Sequence, residues 1–215
     1  MIALDVIMFD VDGTLVDSVA DIVKAMNYTL TKLGMSERPP GAITSYIGTG
    51  VKDLVKKSLW RRAAAGLVEK GVAVFSDYYM EHSAEKSKLY PHVKETLEYF
   101  KDKRKFILTN RYTKFADTTL KEFGIREHFE EIIGGDDESC LKPSACVLDR
   151  ALPGFKIERA KAIMIGDMTI DIQTGKNSGI KTCWVTYGLG KREDVVKLKP
   201  DYIIDDIIEL KAIIK

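Results

Sequence analysis

The sequence contains little cysteine and little histidine, and its positive and negative charges nearly cancel. Its three cysteines, Cys140, Cys146 and Cys183, form no Cys-x-x-Cys pair, so we expect free, partly buried thiols in a reducing compartment. The three histidines show no metal-binding helix spacing, which argues against a zinc site. The net charge of +1 gives no reason to expect binding to nucleic acid or to a membrane surface.

The sequence also lacks a long apolar run. No stretch approaches the roughly 18 apolar residues that a membrane span needs. The first apolar run, residues 2–9, is interrupted by Asp5 and follows no basic region, which argues against a signal peptide. Hydrophobic residues make up 45% of the chain and charged residues 30%, as in ordinary globular proteins, so disorder is not expected. We expect a cytoplasmic protein, a monomer or homodimer, without nucleic-acid or membrane partners.

Strand and helix patterns alternate along most of the chain. Residues 2–9 are apolar at every position but Asp5, which predicts a strand buried on both faces, as in a parallel sheet. Further strands are predicted at 105–109, 131–134, 160–166, 181–186 and 202–204. Helices are predicted at 17–33, 114–123, 143–152, 170–178 and 206–214. This alternation predicts an α/β fold with a mostly parallel sheet and right-handed crossovers.

A helical block interrupts this alternation after the first strand. Residues 42–88 show helix or short-loop patterns and no strand-like alternation. The block is long enough to form a small separate cap. We therefore predict a core domain from residues 1–14 and 89–215, with a helical cap domain at 15–88.

The first predicted strand ends in two acids and a glycine. Asp10 and Asp12 are two residues apart, so on extended backbone they point the same way, with Cα atoms about 6.6 Å apart. Two carboxylates on one side repel each other unless a cation lies between them, and a hard, oxygen-seeking ion such as Mg²⁺ suits that place. Gly13 then lets the backbone turn and approach a ligand closely.

The string Asp10-x-Asp12-Gly13-Thr14-Leu15-x-Asp17-Ser18 resembles the first motif of the haloacid dehalogenase-like hydrolases, and specifically of their phosphatases. Asp-x-Asp alone is more often a solvated turn, but the nine-residue string after a buried strand is far more specific. The resemblance covers essentially the whole chain. It implies a Rossmann-like core with a small α-helical cap inserted just after this motif.

Three later segments resemble the other motifs of this family, each near the end of a predicted strand. Thr109-Asn110 is the weakest, because by itself it is more often a helix-capping turn. Lys142-Pro143 places a lysine at a loop–helix junction, although Ala145 stands where the family often has a second proline. Gly166-Asp167-x-x-x-Asp171 adds two carboxylates, of which Asp171 alone is explained equally well as a helix N-terminal acid. In open parallel sheets such strand ends form the ligand site.

Charge counting favours a metal at this site. Asp10, Asp12, Asp167 and Asp171 bring four negative charges, and Lys142 returns one positive charge. An anionic phosphate would be repelled by the remaining charge. We therefore predict an obligate Mg²⁺ ion as cofactor.

The resemblance assigns a role to each motif residue. It implies that Asp10 is the nucleophile, that Asp12 is the general acid and base, and that Thr109 and Lys142 stabilise the transition state. Metal ligation is assigned to Asp10, Asp12 (through its backbone carbonyl), Asp167 and Asp171. Phosphate or substrate contacts are assigned to Gly13, Thr14, Thr109, Asn110, Arg111 and Lys142. Arg111 stands where the family often has a lysine.

The predicted cap carries a hint of the substrate. Tyr46-Ile47-Gly48-Thr49-Gly50-Val51-x-x-Leu54 resembles a cap segment of phosphoglycolate phosphatases, although two glycines also serve any tight turn. The reaction expected is hydrolysis of a small phosphorylated metabolite. One alternative is a phosphosugar transferase resembling β-phosphoglucomutase, which uses the same two aspartates. A more distant one is a receiver-like signalling domain, whose phosphorylated aspartate usually follows the third strand and which has no helical cap.

Overall fold

The structure is a computed structural model that describes the backbone of all 215 residues and every side chain except those of residues 150–153 and 155. Eight strands follow one another along the chain: β1 (Val6–Phe9), β2 (Val16–Asp17), β3 (Lys88–Leu89), β4 (Arg104–Leu108), β5 (Glu131–Ile133), β6 (Ala162–Gly166), β7 (Lys181–Val185) and β8 (Tyr202–Ile204). Ten α-helices accompany them: α1 (Val19–Lys32), α2 (Pro40–Thr44), α3 (Val51–Leu59), α4 (Ala65–His82), α5 (Val93–Tyr99), α6 (Thr113–Glu122), α7 (Cys146–Phe155), α8 (Thr169–Asn177), α9 (Arg192–Val195) and α10 (Leu210–Ile213).

Six of the strands form one parallel sheet in the order β5-β4-β1-β6-β7-β8. All six were predicted from the apolar runs, and the α/β class is confirmed. β1 lies in the middle, and the chain returns to either side of it, first through β4 and later through β6. This order places a change of direction next to β1, which is where parallel sheets bind ligands.

β1 is buried on both faces, as its unbroken apolar run predicted. Ile7 and Phe9 pack in a hydrophobic cluster on one side of the sheet, with the helices α5 and α6. Val6 and Met8 pack in a second cluster on the other side, with β4, β6 and α7. All four side chains are at most 2% exposed, so this strand is rigidly held. The position of the residues that follow it is fixed accordingly.

The helices α1–α4 pack around a separate hydrophobic cluster, which confirms the inserted helical cap. Its buried members include Ile22, Met26, Val55, Phe75 and Tyr79. The core contributes Phe115 from α6 to the same cluster, so the cap and the core share an apolar contact beside the sheet edge. The domain limits at residues 14/15 and 88/89 stay a prediction.

Two crossings join the core to the cap, and they run side by side. β2 pairs with β3 in an antiparallel two-residue ribbon, Val16 opposite Leu89 and Asp17 opposite Lys88. The expectation that helix begins at Asp17 and that residues up to Lys88 form no strand was wrong at these positions. A two-residue strand is too short to show a period-2 pattern, so the sequence carried no sign of it.

Asp21, in the first turn of α1, holds the second crossing. Its buried carboxylate accepts hydrogen bonds from the backbone N–H groups of Lys86 and Ser87 and from the Ser87 hydroxyl. These bonds satisfy backbone donors that would otherwise be buried without a partner. The ribbon and the start of α1 are thereby tied together.

Three helices depart from the sequence pattern. α5 and α9 were not predicted, because the first is only seven residues long and the second four. α7 begins at Cys146, three residues later than the predicted start at Pro143. Pro143 therefore lies in the loop after β5 and not in the first helical turn, so Lys142 is presented from a loop.

The cysteine prediction was wrong for two of the three residues. Cys140 and Cys146 form a disulfide, with Cα atoms 5.7 Å apart, and only Cys183 is a free, buried thiol. Burial raises the pKa of Cys183. The six-residue spacing gives no indication of pairing, because the loop folds back only where α7 begins. The disulfide removes the thiol argument for a reducing compartment.

None of the helices that the structure describes combines the length and apolarity needed to cross a membrane.

Thiol titration of the denatured protein tests the disulfide. Without reductant we expect one reactive thiol per chain, that of Cys183, because the other two sulfur atoms are bonded to each other. After reduction the count should rise to three. A Cys183→Ser variant should give none before reduction, and three thiols in the unreduced wild-type protein would contradict the pairing.

Candidate active site

Three strand ends and one loop bring the predicted polar residues to one place. Asp10 follows β1, Thr109 follows β4 and Asp167 follows β6, and these three strands are neighbours in the sheet. Lys142 enters from the loop after β5. The following predicted site residues are buried: Asp10, Thr14, Thr109, Asn110, Arg111, Lys142, Asp167 and Asp171.

Three carboxylates meet around one ammonium group. Oxygen atoms of Asp10, Asp167 and Asp171 lie within 4.8 Å of one another. The Lys142 Nζ lies 2.9 Å from Asp10 Oδ1 and 2.7 Å from Asp171 Oδ1. Asp171 also accepts a hydrogen bond from the backbone N–H of Met168, at the start of α8. The first turn of α8 thus brings Asp171 back to the strand ends, as its spacing from Asp167 predicted.

The pKa values show that this cluster carries excess negative charge. Burial, and then Asp171 and Asp10, raise the pKa of Asp167 well above its usual value. Burial raises the pKa of Asp171 to about 6, although Lys142 acts in the opposite direction. Burial alone would lower the pKa of Lys142, but Asp10 and Asp171 raise it, so the ammonium stays charged. One lysine does not balance three buried carboxylates.

The donor set fits Mg²⁺. The cluster formed by Asp10, Asp167 and Asp171 offers carboxylate oxygen atoms only, which are the ligands of hard cations. Each of the three is at most 6% exposed, so an added positive charge there would be weakly screened. A divalent cation would offset the charge that raises the pKa values of these aspartates.

Asp167 is held by contacts that the sequence did not reveal. Its carboxylate accepts hydrogen bonds from Thr14 Oγ1 at 3.0 Å and from the backbone N–H of Leu189 at 2.6 Å. Its backbone carbonyl accepts one from the Trp184 indole N–H at 2.8 Å. Gly13 has a φ of +83°, and a Cβ there would lie 2.3 Å from Asp167 Oδ2. Only glycine allows this approach.

The Asp12 side chain lies apart from the carboxylate cluster. Arg111 Nη2 donates to Asp12 Oδ1 at 2.6 Å, and the Ser18 hydroxyl donates to the same oxygen. Ser18 directly precedes α1 but makes no side-chain capping bond to the described residues of that helix. Burial raises the pKa of Asp12 more than Arg111 lowers it. The carboxyl group therefore holds a proton more readily than an exposed aspartate does.

Asn110 links the cap to the loop that carries Lys142. Its Nδ2 donates to the Gly48 carbonyl at 2.9 Å and to the Lys142 carbonyl at 3.0 Å, and its Oδ1 accepts from the Lys142 N–H at 2.8 Å. The Asn110 side chain is thus committed to positioning Lys142. Its own backbone N–H has no hydrogen-bond partner among the described residues.

Arg111 makes a further contact between core and cap. Besides Asp12, its guanidinium donates to Thr119 Oγ1 at 3.0 Å and to the hydroxyl of Tyr79 on α4. Burial acts to lower the pKa of Arg111, but Asp12 and Tyr79 raise it. The charge count made from the sequence left out this second buried cation.

A cavity opens between the strand ends and the cap. Its empty volume, including the part that is open to solvent, is about 540 Å³. Asp10, Asp12, Thr109, Asn110, Arg111 and Lys142 line its core side. Its remaining wall is largely apolar and includes Ile22, Ile47, Val51, Leu54, Phe75 and Phe115. The cap therefore covers the candidate site.

Sequence patterns missed several residues at this site. Ser18 lay within the first motif string, so its place in the string was a usable signal. Tyr79, Trp184 and Leu189 offered none, since each reaches the site through packing of a distant element. The metal assignment to Asp12 rests on its backbone carbonyl, because its carboxylate contacts Arg111.

Comparisons with known proteins agree on one family. Residues 7–185 match the model of the haloacid dehalogenase-like hydrolase family. The chain is 34% identical over 214 residues to a phosphoglycolate phosphatase of Aquifex aeolicus, covering 93% of this chain and 99% of that one. It is 32% identical over 216 residues to a phosphoglycolate phosphatase of Nitrosococcus oceani, covering 98% and 96%.

A solved structure supports the same grouping. The crystal structure of a predicted phosphoglycolate phosphatase from Haemophilus somnus superposes with a TM-score of 0.92 and 28% identity, covering 99% of both chains. A haloacid dehalogenase-like hydrolase from Streptococcus pneumoniae superposes with a TM-score of 0.86, also at 28% identity.

Thermal unfolding with and without MgCl₂ tests the metal site. In the metal-free protein the pKa of Asp171 is about 6, above the value near 4 of an unfolded aspartate. Folding therefore favours the protonated carboxyl group, and the stability gained from this protonation is lost as the pH rises through 6. Binding of Mg²⁺ competes with the proton on Asp171. At 100 times its Kd, Mg²⁺ should raise the Tm by about 5 °C or more, and by more at pH 8 than at pH 5.5.

Two variants make this measurement specific. Asp171→Asn should reduce the shift and its pH dependence, whereas Asp5→Asn, on an exposed aspartate outside the cluster, should leave both unchanged. The absence of any shift in the wild-type protein at pH 8 would contradict a metal at this cluster.

Proposed function

Since this chain belongs to the haloacid dehalogenase-like hydrolase family, we propose that it hydrolyses a small, phosphoglycolate-like phosphomonoester with Mg²⁺ through an aspartyl-phosphate on Asp10. The chain is a phosphatase of this family, so a receiver-like signalling role is set aside. The observation that carries the proposal is the single lysine that contacts two of three converging carboxylates.

The carboxylates of Asp10, Asp167 and Asp171, with the backbone carbonyl of Asp12, are the ligands we propose for Mg²⁺. A bound Mg²⁺ supplies the positive charge that lets an anionic phosphate approach these carboxylates. Thr14 and the Leu189 N–H hold Asp167 in orientation for this purpose.

Asp10 attacks phosphorus. Lys142 contacts its Oδ1 and fixes the plane of the carboxylate, so the attack begins from a set geometry. A bond forms between an Asp10 oxygen and phosphorus while the bond from phosphorus to the ester oxygen breaks. The charge that develops on the phosphoryl oxygens is stabilised by the Lys142 ammonium and the Thr109 hydroxyl.

Asp12 moves the proton in both half-reactions. It gives a proton to the departing alkoxide, and then takes one from the water that attacks the aspartyl-phosphate. Release of phosphate restores the Asp10 carboxylate. The raised pKa of Asp12 favours the protonated form needed in the first step, and Arg111 and Ser18 hold the ionised form needed in the second.

The other predicted phosphate contacts divide into two kinds. The backbone N–H of Asn110, which has no partner in the described part of the chain, is available to a phosphate oxygen. The backbone N–H of Gly13 and the Thr14 hydroxyl are already bonded, to Val16 and Asp167 respectively. We assign these two residues to positioning Asp167. Direct phosphate contact by either of them stays a prediction.

The cellular context follows from the substrate class. A small phosphorylated metabolite as substrate agrees with a cytoplasmic location, which stays a prediction.

We propose that the cap consists of residues 15–88 and the core of residues 1–14 and 89–215. We also propose that the protein is a monomer or a homodimer.

Replacement of Asp10 tests the nucleophile. Asp10→Asn keeps the size of the side chain but removes the attacking carboxylate, so phosphate release from phosphoglycolate should fall by about 10³-fold or more. The Tm should not fall, since the change removes one buried negative charge from a crowded cluster. Asp5→Asn is the matched control and should keep wild-type rates. Wild-type turnover by Asp10→Asn would refute the assignment.

Replacement of Asp12 tests the proton transfer. Asp12→Asn keeps an oxygen for Arg111 and Ser18 but carries no transferable proton, so both half-reactions should slow by about 10²- to 10⁴-fold. p-Nitrophenyl phosphate has a good leaving group, so its first step depends less on the acid, whereas the attack by water still needs the base. Rapid quenching of Asp12→Asn with this ester should therefore show a larger steady-state fraction of aspartyl-phosphate than in the wild-type protein. Equal slowing of every ester, with no adduct accumulating, would contradict this role.

A further inference from the structure

Arg111, on the core side of the cavity, and Tyr79, on its cap side, form a polar pair beside the apolar wall. Arg111 and Tyr79 lie beside each other, with the guanidinium 5.2 Å from the centre of the Tyr79 ring and bonded to its hydroxyl. Both line the cavity together with Phe75 and Phe115. Tyr79 is 1% exposed and Arg111 is 6% exposed. Burial of a cation and a hydroxyl is costly unless each of their hydrogen-bond donors finds an acceptor.

Both groups keep hydrogen-bond donors in reserve. Tyr79 accepts from Arg111, and its own O–H donates to no described residue. Burial raises the pKa of Tyr79, so the phenol keeps its proton at neutral pH. Arg111 has five N–H hydrogens. Its bonds to Asp12, Tyr79 and Thr119 use three of them, so two, including the one on Nε, have no acceptor among the residues whose side chains are described.

The pair lies next to the group that protonates the leaving oxygen. Arg111 Nη2 is 2.6 Å from Asp12 Oδ1. If Asp12 approaches the ester oxygen at about 2.7 Å, that oxygen lies within roughly 8 Å of Arg111 Nη2. The pair therefore lies within reach of the first carbon atoms of a leaving group whose ester oxygen is bonded to Asp12.

Resting on the proposed phosphatase function, we infer that Arg111 and Tyr79 form the specificity-determining subsite for the leaving group and select esters whose alcohol carries a carboxylate next to the ester carbon. Two carboxylate oxygens match the unused donors of a guanidinium and a phenol. A neutral hydroxyl in the same place would leave a buried donor and part of the cationic charge unmatched. The apolar neighbours exclude water, which strengthens this discrimination.

A pair of matched esters measures the selection. Phosphoglycolate and 2-hydroxyethyl phosphate differ in that a carboxylate in the first is replaced by a hydroxymethyl group in the second. With the wild-type protein and Mg²⁺, kcat/KM should be about 100-fold or more higher for phosphoglycolate. The quantity followed in the variants is the ratio of the two kcat/KM values, because a general effect on catalysis cancels from it.

Two substitutions probe the pair, and one controls for packing. Tyr79→Phe keeps the ring contacts with Phe75 and Phe115 and removes only the hydroxyl, so the ratio should fall by about tenfold. Arg111→Lys keeps the charge but loses the planar set of donors, and should lower the ratio by tenfold or more. Tyr78→Phe removes a hydroxyl from the residue before Tyr79 on α4. The ring of Tyr78 stacks on Tyr28, and its change to phenylalanine should leave the ratio unchanged.

The outcomes separate this inference from the function on which it rests. Phosphate release from neither ester nor from p-nitrophenyl phosphate would refute the phosphatase function, and the subsite with it. Hydrolysis of both esters at a wild-type ratio near one would refute the subsite alone. So would a high wild-type ratio that stays unchanged in both Tyr79→Phe and Arg111→Lys. A fall of the ratio in these two variants and not in Tyr78→Phe supports the pair as the selecting element.

Discussion

The structure depends on a charge imbalance around Lys142. Three buried carboxylates converge on one buried ammonium, and burial is the largest cause of the raised pKa values of Asp167 and Asp171. Such a cluster is unfavourable unless a further positive charge joins it. The central strand, the loop after β5 and the first turn of α8 are all placed so that the imbalance arises. The cluster of buried carboxylates is therefore explained by function, because it would lower the stability of a protein that had no use for it.

The framework of the site was predictable because it follows from short-range patterns. A strand buried on both faces shows an unbroken apolar run, and parallel strands present their carboxyl ends at one edge. These two rules predict that Asp10, Thr109 and Asp167 lie at the same edge of the sheet. Because α7 starts later than predicted, Lys142 lies within a loop and not at a loop–helix junction, but the same residue reaches the site.

Long-range contacts were not predictable in the same way. The pairing of Arg111 with Asp12 joins residues 99 positions apart, so no local pattern indicates it and the charge count did not include Arg111. Tyr79 comes from the cap and reaches Arg111 only because α4 packs on α6 through Phe75 and Phe115. The disulfide likewise depends on how one loop folds back. In each case tertiary packing, and not local pattern, decides the contact.

The ribbon formed by β2 and β3 constrains how the two parts of the molecule can separate. Both connections pass through it side by side, and Asp21 fastens its second strand to α1. If the ribbon stays intact, the cap can therefore move as a rigid body only by a hinge rotation about the ribbon. The cap also carries Gly48, whose carbonyl accepts a hydrogen bond from the Asn110 side chain of the core. Admission of a substrate by such a rotation breaks that bond, and with it one of the restraints on the Lys142 backbone.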